Sequence, residues 1–118
     1  MMDLSNALEA HAEWRYRLRA AIVGKRRLDA EMVARDDACP LGKWLHGEAK
    51  EQYWALKSYE RCVAEHARFH AQAGKVAEAI NAGEYARAQA MIANESAYTA
   101  ASLSVGAAIK ALEIEAAL

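Results

Sequence analysis

Glu65-His66-Ala67-Arg68-Phe69-His70 stands in the middle of the longest run of helical periodicity in the chain. His66 and His70 are four residues apart, so on a helix both leave the same face, one turn from each other. That face is otherwise apolar. Leu56, Tyr59, Val63, His66, His70, Ala73, Ala77 and Ile80 follow one another at steps of three and four, the seam that a bundled helix turns toward its partners. Two imidazoles therefore occupy core positions. A buried polar group without a partner costs roughly 1–3 kcal/mol, so each needs hydrogen bonds or a metal.

Outward from this seam the chain reads as helices throughout. Only one proline and six glycines interrupt its 118 residues, and alanine is abundant. A first helix is expected from about Ser5 to Val23, capped by Asp3 or Ser5 and stopped by Gly24. Its inward stripe is Leu4, Ala7, His11, Trp14, Leu18 and Ala21, again with one histidine among apolar neighbours. Asp29 is placed to cap a short helix through Ala34, with Met32 and Val33 touching the core. The long helix is expected from about Glu48 or Gln52 to the stop signal Asn81-Ala82-Gly83. A last helix is expected from about Glu84 to Ala116, with Met91, Tyr98, Ser102, Val105, Ile109 and Leu112 inward. The charges around Arg15–Arg19 and Glu78–Arg87 read as solvated faces. The expected fold is all-α: one domain, 1–118, an antiparallel four-helix bundle with one side made of short helices.

Composition excludes several functions. With 15 basic against 16 acidic residues and a net charge of −1, nothing favours nucleic acid or an anionic membrane. No apolar run approaches the ~20 residues that span a bilayer. Asp3 and Glu9 stand where a secretory signal would be apolar, so the expected compartment is the cytoplasm. Two cysteines, Cys39 and Cys62, are too few for a disulfide scaffold and read as free thiols or metal ligands.

The most distinctive string is Cys39-Pro40-Leu41-Gly42-Lys43-Trp44-Leu45-His46-Gly47. Pro40 suits the first turn of a short helix, with Leu41, Trp44 and Leu45 on one face and Gly47 as its stop. Cys39 then falls at the N-cap or just before it, where the helix terminus favours the thiolate. His11, Cys39, His66 and His70 thus lie on three segments whose inner faces meet in a bundle. Three imidazoles and one thiolate match tetrahedral zinc. Carboxylate-bundle iron requires Glu-x-x-His pairs, which are absent, and haem attachment requires Cys-x-x-Cys-His, also absent. Zinc with one thiolate carries a net +1, and Asp36, Asp37 or Glu65 are candidate partners around it. Against this stands the plainer reading of satisfied core histidines and a buried thiol. His46 falls off the inner face and reads as solvent-exposed. Cys62, one turn before His66, is a spectator thiol or a reserve ligand.

The string from Cys39 to Leu45 resembles the signature of the chemoreceptor zinc-binding (CZB) domain family: Cys, any residue, Leu or Phe, Gly, a basic residue, Trp, an apolar residue. His11 with Trp14 resembles the family's first-helix motif, and His66-x-x-x-His70 its long-helix pair. The resemblance implies zinc held by His11, Cys39, His66 and His70. It implies a cytoplasmic helical module, commonly dimeric, that works with chemoreceptors, diguanylate cyclases or other signalling proteins and responds to zinc or to hypochlorous acid. The 118 residues include neither a receptor signalling helix nor a cyclase domain, so the chain is expected to be a free-standing member or one module of a larger protein. Four protein ligands leave no open position on the metal, so no enzymatic activity is expected. The competing expectation is a zinc site that only staples a helical interaction module. One buried site per chain argues against metal buffering.

Overall fold

The computed structural model describes residues 2–118; Met1, the first residue of the expected domain, lies outside them. The fold is all-α, and the order is α1 (Leu4–Ala12), α2 (Trp14–Gly24), α3 (Ala30–Ala34), α4 (Pro40–Leu45), α5 (Glu48–Tyr53), α6 (Lys57–Asn81), α7 (Tyr85–Met91) and α8 (Ala97–Glu115). No strand occurs among the described residues, and the molecule extends over 43 × 25 × 19 Å. The rod of α1 and α2, the long α6 and α8 form three sides of a bundle. The short α3, α4 and α5 supply the fourth.

Asp3 caps α1 by accepting from the Asn6 N–H at 3.1 Å. At Glu13 the rod is locally distorted, but its backbone stays right-handed and its N–H still reaches the Glu9 carbonyl at 3.0 Å. The expected first helix is therefore one rod. It stops one residue later than Gly24: Lys25 takes the left-handed conformation at φ 52°, and the Arg26 N–H closes back on the Ala21 carbonyl at 2.9 Å. Asp29 caps α3 through the Met32 N–H, as its spacing implies. Val33 is buried, but Met32 faces outward, because five residues offer a single inward position.

α6 is buried over a wider arc than its seam suggests. Beside Tyr59, His66, His70, Ala73, Ala77 and Ile80, a second row of Ser58, Cys62, Phe69 and Val76 is buried, since α3 and α8 both pack on this helix. α3 lies close because position 74 is glycine: a Cβ there would stand 2.6 Å from the Ala34 Cβ. The stop at Asn81-Ala82-Gly83 is confirmed, with Gly83 at φ 77°.

Two expected helices are broken. The long helix starts at Lys57, not Glu48 or Gln52, because Leu56 is extended at ψ 134°. The break at Trp54–Leu56 turns α5 back so that Ala49 is fully buried and Tyr53 sits beside Trp44, with ring centroids 6.1 Å apart. The last helix divides into α7 and α8. Glu95 is left-handed at φ 67°, and Ser96 starts α8 by accepting from the Thr99 N–H at 3.1 Å. Arg15 is not a solvated charge. Its guanidinium donates to the Ile92 carbonyl and, at 2.6 Å, to Thr99 Oγ1, binding the α7–α8 break to the first rod.

Candidate metal centre

Three of the four residues singled out by the sequence are held by hydrogen bonds to backbone groups, and the fourth, His66, has no partner at Nδ1 among the described residues. His11 sits in the last turn of α1, and its Nδ1–H donates to the Ala7 carbonyl at 2.8 Å. His70 on α6 donates its Nδ1–H to the Val33 carbonyl of α3 at 2.9 Å. A carbonyl only accepts, so both bonds place the proton on Nδ1 and leave Nε2 with a free lone pair. Cys39 is the N-cap of α4, with Pro40 at the first helical position. Its Sγ accepts from the Gly42 N–H at 3.3 Å. Gly42 is needed there because a Cβ would lie 1.9 Å from the Asp36 carbonyl oxygen, inside the loop that delivers Cys39.

The free atoms converge. Nε2 of His66 is 3.1 Å from Nε2 of His11 and 3.1 Å from Nε2 of His70. Cys39 Sγ is 3.3 Å from His66 Nε2, 3.6 Å from His70 Nε2 and 3.9 Å from His11 Nε2. All four atoms lie within 4.8 Å of one another. Ligands about 2.0–2.3 Å from a common zinc stand about 3.3–3.7 Å apart at the corners of a tetrahedron, close to these separations. Hydrogen bonds can bridge only two of these five contacts. His66 and Cys39 have at most two protons to offer among five close contacts, and His11 and His70 contribute only lone pairs. A cation at the centre satisfies all four.

Burial sets the protonation. His66 is fully buried, and desolvation first, then the neighbouring imidazoles of His70, His11 and His46, lower its pKa to about 3. Desolvation also leads in lowering His11 and His70, against the hydrogen bonds to Ala7 and Val33 that favour their charged forms. All three imidazoles are therefore neutral ligands at neutral pH. Burial likewise raises the Cys39 thiol, and the opposing N–H of Gly42 does not outweigh it. The expectation that the terminus of α4 alone favours a thiolate is thus corrected: a six-residue helix does not overcome desolvation, and the thiolate needs the metal.

The remaining expectations divide. His46 is exposed and stands 3.2 Å from Asp36, away from the cluster. Cys62 is fully buried, outside the cluster, and its thiol is pushed up to about 12 by desolvation, so it is an unreactive core residue. None of the three carboxylates hydrogen-bonds a cluster imidazole. Asp37 pairs with Arg35 at 2.9 Å and Glu65 with Arg68 at 3.5 Å. Asp36 acts through space on His70 and Cys39. The tautomer-setting partners are instead the carbonyls of Ala7 and Val33. The first is implicit in helical geometry, four residues before His11. The second comes from a tertiary contact that leaves no trace in the sequence.

Fold and cluster together define a class: a small helical bundle that draws three imidazoles and a cysteine from three helices into one largely buried cluster. The family described as the chemoreceptor zinc-binding domain, CZB, matches residues 11–77, from the first histidine to Ala77 on α6, and the chain belongs to it. No curated protein and no solved structure matches. The cofactor to which family and donor set point is zinc, and the two together fit a zinc-binding signalling domain. No helix among the described residues is long and apolar enough to cross a membrane.

Proposed function

We propose that the protein is a zinc-dependent sensory or regulatory module of bacterial signalling, of the chemotaxis or cyclic-di-GMP type, in which His11, Cys39, His66 and His70 are the four zinc ligands. The observation that carries this reading is the convergence of three Nε2 atoms and one Sγ within 4.8 Å of one another, with at most two protons to bridge their five close contacts. Zinc, when bound, supplies a positive centre that keeps Cys39 deprotonated. Everything else is the work of the chain. The Ala7 and Val33 carbonyls hold two imidazoles in the ligand tautomer. Phe69, fully buried beside His11 at 5.4 Å between rings, keeps water from that side.

Cys39 is the one ligand that is only half-buried, and the one that oxidants attack. Hypochlorous acid transfers its oxygen to a thiolate, giving sulfenic acid and chloride, and a sulfenylated Cys39 is a poorer zinc ligand. α4, which begins at Cys39, is anchored by buried Leu41 and Leu45 and by a hydrogen bond from the Tyr59 hydroxyl to the Leu45 carbonyl, 2.6 Å. Loss of the fourth ligand frees its N-terminal end while the far end stays pinned, so that a signalling partner or a second copy of the chain meets a changed surface. With four protein ligands the site has no position for a reacting water, and we assign it no catalysis. The module acts in the cytoplasm.

A second reading is favoured by the way the cluster ties α1, α4 and α6 together: zinc as a structural staple only. Zinc withdrawal separates the two. The sensory reading expects a folded second state, with far-ultraviolet circular dichroism retained and the environment of Trp44 altered. Unfolding in step with metal loss supports the staple. In protein purified without added metal or a histidine tag, elemental analysis is expected to find about one zinc per chain. That zinc should be lost in Cys39→Ser and retained in His46→Ala; equal zinc in the two variants contradicts the assignment.

A further inference from the structure

A groove of about 560 Å³ runs along the outside of the bundle between α1 and α4, and its floor is formed by two of the cluster residues, Cys39 and His11. We propose that this groove is the route by which zinc enters and leaves, and that its charge selects what reaches Cys39. The inference rests on the zinc reading above and adds a path and a selectivity to it.

Three features single the groove out. It reaches the half-buried Cys39 together with His11 and is the larger of the two cavities that touch the sulfur; His66 lines neither. A smaller cavity of about 330 Å³ between α1 and α8 touches His11 but not Cys39, and one of equal size on the α3 side touches Cys39 and His70 but not His11. Two half-buried indoles, Trp14 and Trp44, line it beside Cys39 and give it an apolar interior. Among the described residues its lining carries Asp3, Glu13 and Glu48 against one cationic side chain, Arg17, whose guanidinium lies 4.0 Å over the Trp14 ring. These described side chains, three carboxylates against one guanidinium, sum to −2. An approaching aquated dication is attracted to them. Neutral molecules pass, and anions are slowed, with an effect that salt screens.

The route lies outside the ligand set, so blocking it changes rates and leaves equilibrium affinity alone. Ala10 lines the groove from an exposed position on α1, and Asn6 does so one turn earlier, so both accept substitution without disturbing the core. Zinc uptake by metal-free full-length protein and zinc release to excess chelator are timed by stopped flow, and the zinc dissociation constant is measured separately. Ala10→Trp, with Asn6→Trp as a second blocking variant, is expected to slow uptake and release together by about tenfold at an unchanged dissociation constant. Ala107→Trp, in the α1–α8 cavity, is expected to change neither. In the wild type, the neutral chelator phenanthroline is expected to strip zinc several-fold faster at low salt than an anionic aminocarboxylate of matched strength. Glu13→Gln with Glu48→Gln is expected to shrink that difference, as is 0.5 M salt. Unchanged rates in both blocking variants, or slowing by Ala107→Trp instead, overturn the route. A protein that binds no zinc in the equilibrium measurement overturns the underlying reading, a separate result.

Discussion

At the scale of single residues, the protein's chemistry is decided by which proton each nitrogen carries. The Ala7 and Val33 carbonyls fix Nδ1–H on His11 and His70 at 2.8 and 2.9 Å, and this alone commits two lone pairs to the centre. Cys39 completes the set but has no thiolate of its own, since burial raises its pKa. Zinc affinity is therefore expected to fall by about a hundredfold or more in Cys39→Ser and to be unchanged in Cys62→Ser, measured by competition with a chromogenic chelator. A loss that followed Cys62 instead would move the sulfur ligand to α6. The four cluster residues were legible in the sequence because each obeys a local rule: three histidines at helical spacing on apolar stripes, and a cysteine directly before a proline that opens a helix. Arg15 was not. Its guanidinium is fixed by a carbonyl and a hydroxyl some eighty residues away, and no local pattern distinguishes it from a solvated arginine.

At the scale of elements, short helices do the positioning. α3 is five residues long, yet it sets the His70 tautomer through Val33, and it reaches α6 only because position 74 has no Cβ. Gly74→Ala puts a methyl 2.6 Å from the Ala34 Cβ and pushes α3 outward. It is expected to weaken zinc binding about tenfold without altering any ligand; unchanged affinity would show that the Val33 carbonyl is dispensable. Ser96 is the start of α8, and Ser96→Ala is expected to cost about 1 kcal/mol in urea unfolding. A negligible change would mean that Arg15 alone holds the α7–α8 break. The two breaks differ in how they could be foreseen. Asn94-Glu95-Ser96 carries a capping serine, a visible signal that an otherwise unbroken helical run overrode. Tyr53-Trp54-Ala55-Leu56 carries none. There the chain turns because burying Ala49 and seating Tyr53 against Trp44 outweigh continuing the helix.

For the whole molecule, the buried imidazoles tie stability to pH. Above the ordinary histidine value of 6.5, His66 is neutral folded and unfolded, and contributes nothing to the pH dependence. As pH falls below 6.5 the unfolded chain takes up a proton that the folded chain, with its value at about 3, refuses. Folding of the metal-free protein therefore loses stability on acidification, by about 2 kcal/mol between pH 6.5 and pH 5 for one such group. His11 and His70 are lowered in the same direction and add to the loss. Zinc holds the same imidazoles neutral, so acid is also expected to release it. Urea titrations of metal-free protein across this pH range check the slope, and a stability independent of pH would mean that the imidazoles are hydrated in solution. Exposed Leu103 and Ile114, with the small residues of α8 beside them, are where the expected second copy would be sought by analytical ultracentrifugation.

X-ray absorption at the zinc edge of the loaded protein reports whether one zinc is held by three imidazoles and one thiolate. Four-coordinate zinc with one sulfur at about 2.3 Å and three imidazole nitrogens at about 2.0 Å is expected, the sulfur shell vanishing in Cys39→Ser. Zinc surrounded only by nitrogen and oxygen in the wild type, or a second sulfur in its shell, would contradict that ligand set.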